Sequence, residues 1–358
     1  MVLNSVLEPN IVITPEFLSI IAEIDEFKGQ WEALKNLSPE RLVKLRHVAT
    51  IESIGSSTRI EGAKLTDQQV EELLSAVRMT SFRTRDEEEV AGYAETMDMV
   101  FQAYEEMPVT ENHIRQLHQM LLRHSTKDER HRGSYKKLPN HVVARDEKGN
   151  EIGIVFETTA PFDTPLEMED LVKWVNKSIA EKSLHPLLIT AVFVVRFLAI
   201  HPFQDGNGRL SRILTTLMLL RAGYGYVPYA SLESVIEDNK DLYYRSLRRT
   251  QVSFKTNEPD WDPWIGFFLR CLRKQKSNLS DKIGTEIEPE IRDLPLLSIK
   301  VLDLLRDHER LTISELVELT GANQNTMKVR LRELVASGRI VRRGRARATW
   351  YRIGTTHV

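Results

Sequence analysis

Apolar residues recur along most of the chain at the spacing of a helix, and few stretches alternate with the period of a strand. The pattern predicts a mainly α fold. Helices are expected over Thr14–Gly29, opened by Thr-Pro, and over Ser38–Glu52. Another is expected over Thr66–Val77, where Thr66 and Gln69 stand at capping-box spacing. Asp86–Glu106 is a long amphipathic run. The next helix starts from Thr110, with Ile114, Leu117, Leu121 and Leu122 along one face. Residues 128–160 change character. They are rich in Gly, Pro and β-branched residues, and Asp-Glu-Lys-Gly-Asn at 146–150 lies between two Val/Ile runs, which predicts a hairpin. Helices resume over Pro165–Ser178, Leu187–Ile200, Gly208–Ala222, Asp238–Gln251 and Trp264–Lys276.

Residues 277–296 lack a sustained apolar period, hold two prolines and read as a linker. Beyond them Ser298–Asp307, LTISELVELTG and NQNTMKVRLRELVASG read as three helices, the last two stopped by glycine. RIVRRG and ATWYRIG then alternate like two strands around Gly344. Three helices followed by a two-stranded wing make a winged-helix pattern. The predicted organisation is an N-terminal helical region over 1–105, a core over 106–276, the linker, and a winged helix-turn-helix domain over 297–358.

Composition narrows the function classes. The 358 residues carry a formal net charge of −2, so the chain as a whole is no cationic nucleic-acid coat. The charge is uneven, though. From Glu290 to Val358 thirteen basic residues face eight acidic ones, and six arginines with no acid fall within Arg339–Arg352. The start, MVLNSVLEPN, has no basic region followed by an apolar one, so no secretory signal is expected. The apolar run Leu187–Ile200 contains Arg196 and is too short to span a bilayer, so it reads as a buried core helix and no membrane association is expected. Cys271 is the single cysteine, which fits a reducing, cytoplasmic setting.

The densest chemistry lies in HPFQDGNGRLSR, residues 201–212. His201 stands at the end of an apolar helix that Pro202 prevents from continuing, and an imidazole can take a proton near neutral pH. Gly206-Asn207-Gly208 feeds the start of the next helix. Backbone N–H groups converge there in a way that suits a phosphate. Arg209 and Arg212, three apart, share a face of that helix's first turn and oppose its dipole unless an anion lies between them. Asp205 is placed to hold a divalent metal bridging phosphate oxygens. A base, a metal ligand, a polyphosphate cradle and two neutralising charges are the parts of nucleotidyl or phosphoryl transfer. Taken singly, each has a plainer reading: a helix end, a turn, two surface cations.

HPFQDGNGRLSR resembles, without departure, the signature His-Pro-Phe-x-(Asp/Glu)-Gly-Asn-Gly-Arg-x-x-Arg of the Fic family, and the likeness extends over roughly residues 100–275. The resemblance implies a helical core with a β-hairpin flap and the transfer of AMP from ATP to a hydroxyl side chain of a target protein. It assigns His201 as the base for the target Ser, Thr or Tyr hydroxyl and Asp205 as the Mg²⁺ ligand. It assigns Gly206, Asn207 and Gly208 to the α-phosphate, Arg209 to the β-phosphate and Arg212 to the γ-phosphate. The flap ends at Phe156, Glu157, Thr158 and Thr159, and lays the target beside the nucleotide by strand pairing. The alternative is an ordinary surface hairpin. DLYYRSLRRTQ resembles the family's adenine-side helix and nominates Tyr243, Tyr244 and Gln251, although aromatic residues at helical spacing are commonly core.

SSTRIEGAKLT, residues 56–66, matches the family's inhibitory pattern (Ser/Thr)-x-x-x-Glu-(Gly/Asn), through Ser57, Glu61 and Gly62. If Glu61 reaches Arg212, its carboxylate occupies the γ-phosphate's place through a charge-assisted pair. The plain alternative is a helix-terminal glutamate beside a glycine stop. In some family members the same glutamate orients a water that removes AMP. On the small module, Asn323, Gln324, Asn325, Thr326 and Lys328 open the presumed recognition helix and can contact base edges or phosphates of DNA. The alternative is a module for dimerisation or target docking. Other phosphate-group transfer, de-AMPylation, and a nucleotide-sensing DNA-binding regulator stay open as functions, and self-modification and homodimerisation stay open as well.

Overall fold

A segment as uniformly apolar as Leu187–Ile200 can satisfy its backbone and shed its water together only as a helix buried on every side. The computed structural model of the chain describes residues 9–34, 39–75, 82–145, 151–256, 258–286, 294–308, 310–344 and 349–354. In order, the elements are α1 (Pro15–Leu34), α2 (Pro39–Ile60), α3 (Asp67–Ser75), α4 (Arg85–Ala103), α5 (Glu111–Leu121), β1 (Val142–Arg145), β2 (Glu151–Phe156), α6 (Thr164–Glu181) and α7 (Pro186–Ile200). Then come α8 (Asn207–Arg221), a short 3-10 turn, α9 (Leu232–Asp238), α10 (Lys240–Ser253) and α11 (Asp262–Glu286). The last group is α12 (Leu296–Asp307), β3 (Leu311–Thr312), α13 (Ile313–Thr320), α14 (Gln324–Ala336), β4 (Ile340–Arg343) and β5 (Trp350–Ile353). The fold is mainly α, as the period predicts.

The chain divides into two compact units, Met1–Asp25 with Lys44–Ser277, and Glu26–Val43 with Asn278–Val358. In the first, α7 is buried from Leu187 to Ile200 and packs between α6 and α8. Arg196, the charge inside that helix, lies over the Phe254 ring at 5.5 Å, so its guanidinium meets a π face where no water reaches. α8 is buried almost as completely. Side-chain caps fix where helices begin. Thr84 accepts from the Glu87 N–H at α4, and Thr110 accepts from the His113 N–H at α5. The Thr66–Gln69 capping box forms in both directions. Lys182 and His201 end α6 and α7 in the left-handed conformation.

Several helices run longer than the apolar period suggests. α2 extends from Glu52 to Ile60 because Ser53, Ser56, Ser57 and Thr58 are buried, not solvated. Thr58 meets its need for a partner by donating back to the Ile54 and Gly55 carbonyls. α11 continues past Lys276 to Glu286, and α1 past Gly29 to Leu34. The hairpin forms, with β1 and β2 antiparallel and Val143 opposite Ile154. Its expected turn at 146–150 lies outside the described residues.

In the second unit, α12, α13 and α14 enclose a core that includes Leu302, Leu316, Met327, Leu331 and Ile340. The expected wing of two strands has a third member. β3 pairs with β5, giving the order β3-β5-β4. Two residues are too few to show a period. Thr312 also caps α13 in a reciprocal capping box with Glu315, and this masks its strand character in the sequence.

α4 and α5 cross closely at Gly92, where a Cβ would overlap the carbonyl oxygen of Leu121. Gly92→Ala is expected to destabilise the first unit by about 1–3 kcal/mol. This would be read as a lower thermal midpoint, with α-helical content retained below the transition.

Candidate functional site

The site is a sharp turn between two buried helices. His201 leaves α7 with φ 53° and ψ 59°, its N–H still bonded to the Phe197 carbonyl at 2.8 Å. Gly206 opens α8 with φ 79°, a conformation that glycine enters without strain. The loop between them is braced from inside. Asn207 accepts from the Phe203 N–H at 2.9 Å and donates to the Phe203 carbonyl at 2.7 Å, closing the loop on itself. His118 of α5 stacks on Phe203 with ring centroids 3.8 Å apart. It accepts from the Gly133 N–H on Nδ1 at 2.8 Å, which leaves Nε2–H to donate to the Asp205 carbonyl at 3.0 Å.

His201 is half-buried, and its Nδ1 faces the Leu198 carbonyl at 3.3 Å. That contact favours a proton on Nδ1 and leaves Nε2 as the acceptor. Burial pushes the imidazole down to about 4, against the opposing pull of the Leu198 carbonyl. At neutral pH the ring is therefore an unprotonated base.

The charged groups form a chain around the N-terminus of α8. Burial works to raise the Asp205 carboxyl, but Arg209, the Gly206 N–H and Arg85 outweigh it and hold the group below its usual value. Its Oδ2 accepts from Arg85 at 2.8 Å and its Oδ1 from the Gly206 N–H at 2.6 Å. Arg209 lies 3.1 Å from Glu89 of α4 and 3.4 Å from Asp205. Arg212 donates through Nε to the Ser57 hydroxyl and through Nη2 to the Ser57 carbonyl, both at 2.8 Å, and through Nη2 to Glu61 at 2.9 Å. Burial opposes its charge, yet Glu61 offsets this and the guanidinium stays above its ordinary value. Arg212 Nη1 and Arg209 Nε are buried and make no hydrogen bond, while Arg209 Nη1 is the atom that faces Glu89. Such donors are costly to leave unmet, and of the two arginines Arg209 lines the adjoining cavity while Arg212 lies behind it.

Glu61 follows the last turn of α2, and Gly62 turns the chain away with φ 108°. Glu61 thus ends a helix beside a glycine, and its carboxylate also meets Arg212. It rests against the backbone of Gly208, where a Cβ would overlap the carboxylate.

A cavity of about 550 Å³ opens beside this chain. His201, Asp205, Gly206, Asn207, Gly208, Arg209 and Glu61 line it on one side, and Phe156, Tyr243, Tyr244 and Gln251 on another. Tyr243 also belongs to the core, against Trp264 and Phe267, while Tyr244 is partly exposed and donates to the Ile60 carbonyl at 3.3 Å. The remaining flap residues do not line the cavity. Glu157 pairs with Lys255 at the surface. Thr158 and Thr159 are anchors, Thr158 bonded to Lys136 and Asn140, and Thr159 to Glu167. The sequence reading missed Arg85 and Glu89, which belong to the charged chain, and His118, Lys136 and Asn140, which brace the loop. The capping Thr84 marks where the helix carrying Arg85 starts, but nothing local signals the pairing with Asp205.

A divalent ion fits this donor set only in part. Among the described residues no group of three His, Cys, Asp or Glu could hold a metal unaided. Asp205 is one of the carboxylates at the cavity wall, and as a lone ligand it suits an ion that takes its other ligands from phosphates and water. No helix among the described residues is long and apolar enough to cross a membrane.

Comparison with known proteins gives this geometry relatives. Residues 108–219 match the Fic/DOC family, and residues 296–341 match the winged helix-turn-helix DNA-binding family. A protein adenylyltransferase Fic of Drosophila grimshawi is 27% identical over 256 residues, 71% of this chain and 47% of that protein. The chain thus spans about half the length of the curated relatives it matches. A Fic family protein from Desulfovibrio desulfuricans shares the fold with a TM-score of 0.60 at 24% identity, covering 98% of this chain and 99% of that one. A Fic domain containing signaling protein from Bacteroides thetaiotaomicron is 27% identical with a TM-score of 0.58, over 72% of this chain and 94% of that one.

His118 and His201 are both held neutral by burial, each lowered from 6.5 to about 4. The unfolded chain therefore takes up protons at these positions at a higher pH than the folded one. Stability should fall as pH drops from about 6.5 towards 4, by about 2 kcal/mol for each imidazole between pH 7 and 4.5. Urea unfolding at the two pH values measures this, with both imidazoles expected to titrate below pH 5 by NMR. An imidazole that titrates near 6.5 in the folded protein would remove its share.

Proposed function

We propose that this chain, whose residues 108–219 form a Fic domain, is a protein adenylyltransferase that moves AMP from ATP to a Ser, Thr or Tyr hydroxyl of a target protein or of itself. Its ground state is held off by Glu61. The observation that carries the reading is the pair of buried arginines at the N-terminus of α8, held by carboxylates and beside an unprotonated His201, with Glu61 already bonded to Arg212.

In this reading the backbone N–H groups of Gly206, Asn207 and Gly208 bind the triphosphate together with Arg209 and Arg212, and the phosphates compete with Glu89 and Asp205 for Arg209 and with Glu61 for Arg212. Tyr243, Tyr244 and Gln251 enclose the adenine. The Asn207 side chain is spent on the loop, so its contribution to phosphate is its N–H. Asp205 would hold Mg²⁺, which neutralises phosphate charge when bound, and Arg85 must first release its oxygen. The target segment pairs with the hairpin and presents its hydroxyl to His201 Nε2. The imidazole takes the hydroxyl proton as the oxygen attacks the α-phosphorus, and pyrophosphate leaves from the arginine side. Glu61 competes for Arg212, so ATP that binds with Glu61 in place is displaced from the line of attack.

The second unit supports a nucleic-acid partner. Asn323, Gln324, Asn325, Thr326 and Lys328 are exposed at the start of α14. Asn323 also caps the helix by accepting from the Asn325 N–H, which leaves the four residues after it as the better candidates for base or phosphate contact. A cytoplasmic setting agrees with the lone buried Cys271.

Transfer of label from α-³²P-ATP with Mg²⁺ tests the proposal. Glu61→Gly should raise protein labelling about 10- to 100-fold, the range expected when a charge-assisted hydrogen bond of about 1.5–3 kcal/mol is removed. Adding His201→Ala should lower it by about 100-fold or more. Labelling that is equal in wild type and Glu61→Gly would remove the lock. Labelling that survives His201→Ala would remove the base.

A further inference from the structure

Besides Arg196, which lies over the Phe254 ring, a second buried cation among the described residues stands outside the phosphate cradle. Lys136, in the loop between α5 and β1, is 3% exposed. Its Nζ donates to the Asn140 side-chain oxygen at 2.8 Å, the Thr158 hydroxyl at 2.9 Å and the Ile200 carbonyl at 2.9 Å. The three N–H bonds of an ammonium are thus all used, and none goes to a carboxylate. Its backbone N–H reaches the Pro202 carbonyl at 2.8 Å, and Asn140 donates to the carbonyls of His201 and Phe203. Lys136 and Asn140 therefore hold the residues on both sides of His201 as well as the foot of the hairpin. Glu167 of α6, which is bonded to Thr159, and His201 are the titratable groups facing the ammonium.

Burying a cation among neutral oxygens is costly, and a neutral side chain of similar length would fill the same space. We infer that Lys136 is a positioning residue for the transfer reaction, locking the left-handed His201 and the hairpin to each other so that base and target strand meet in one register. The inference rests on reading His201 as the base. Burial pushes the ammonium down to about 8. Above that pH it becomes an amine with two N–H groups and a lone pair facing three acceptors, and the clamp loosens. Its charge also contributes to keeping His201 unprotonated.

The experiment uses the full chain with Glu61→Gly, and compares Lys136→Met, Lys136→Arg and Thr158→Val. The parent is expected to lose kcat above pH about 8, since the ammonium loses its proton there and His201 is already neutral through that range. Lys136→Met should lower kcat about 10-fold or more, leave KM for ATP within about twofold, and flatten the profile between pH 7.5 and 9.5. Lys136→Arg keeps the charge and should move the alkaline limb upward, because a guanidinium does not titrate there. Thr158→Val, which frees only the hairpin, should lower kcat without moving the limb. An alkaline limb that stays near pH 8 in both Lys136 variants would overturn the inference, as would an unchanged kcat in Lys136→Met. Should the Glu61→Gly parent transfer nothing, NMR titration of His201 gives a separate readout. An upward shift in Lys136→Met supports the link to the imidazole, and no shift removes it, whichever reaction the site performs.

Discussion

Two guanidinium groups sit where a helix dipole is already positive, and both are buried. No arrangement of the surrounding helices is stable unless it brings anions to them, and the folded chain draws those anions from three separate elements. Glu89 comes from α4, Asp205 from the loop after α7, and Glu61 from the end of α2. Ser57 adds a hydroxyl and a carbonyl from the body of α2. The N-terminal helices thus complete the charge balance of a site whose core lies more than a hundred residues later. The balance is left short by several N–H bonds. That shortfall, not any cluster of acids or metal ligands, gives the cavity its chemical direction.

The second constraint is stiffness. The turn from His201 to Asn207 is fixed by Asn207 from within, by the stacked pair His118–Phe203 from one side, and by Lys136 and Asn140 from the other. Burial that neutralises His201 and bonds that fix its backbone come from the same packing. An imidazole on a mobile loop would keep its solvent and its ordinary affinity for protons. The hairpin shares these supports through Thr158 and Thr159, so its foot is as well defined as the turn itself.

Much of this was legible in the sequence. The 3.6-residue period, the capping threonines and the glycine stops located most helices, and HPFQDGNGRLSR pointed to His201, the turn and both arginines because its spacing is local. The chain hid what depends on distant partners. Ser53, Ser56 and Ser57 read as a polar helix end, although all three are buried and Ser57 bonds to the buried Arg212, so α2 runs longer than its apolar period. Lys136 and Asn140 lie in a Gly- and Pro-rich stretch and carry no motif, and their importance appears only once three carbonyls and a hydroxyl surround them. Thr158 and Thr159 were expected to face the cavity with Phe156. A hydroxyl beside a buried ammonium or a carboxylate is drawn inward, and a β-branched sequence does not show which way it turns. β3 was too short for any period to register.

The contact between Glu61 and Gly208 has an evolutionary reading. On the proposed function, the inhibitory carboxylate and the nucleotide use the same donors and the same glycine surface. A mutation on α8 that tightens phosphate binding also tightens the grip on Glu61, and one that expels Glu61 by adding bulk at Gly208 also spoils the cradle. Drift in the catalytic helix therefore leaves the ratio of resting to active protein nearly unchanged. The turn at Gly62, where a Cβ would meet nothing within 4 Å, is the half of the contact open to change on that reading. Lineages carrying this arrangement are free to tune the threshold for activity there, while the twelve-residue turn stays fixed.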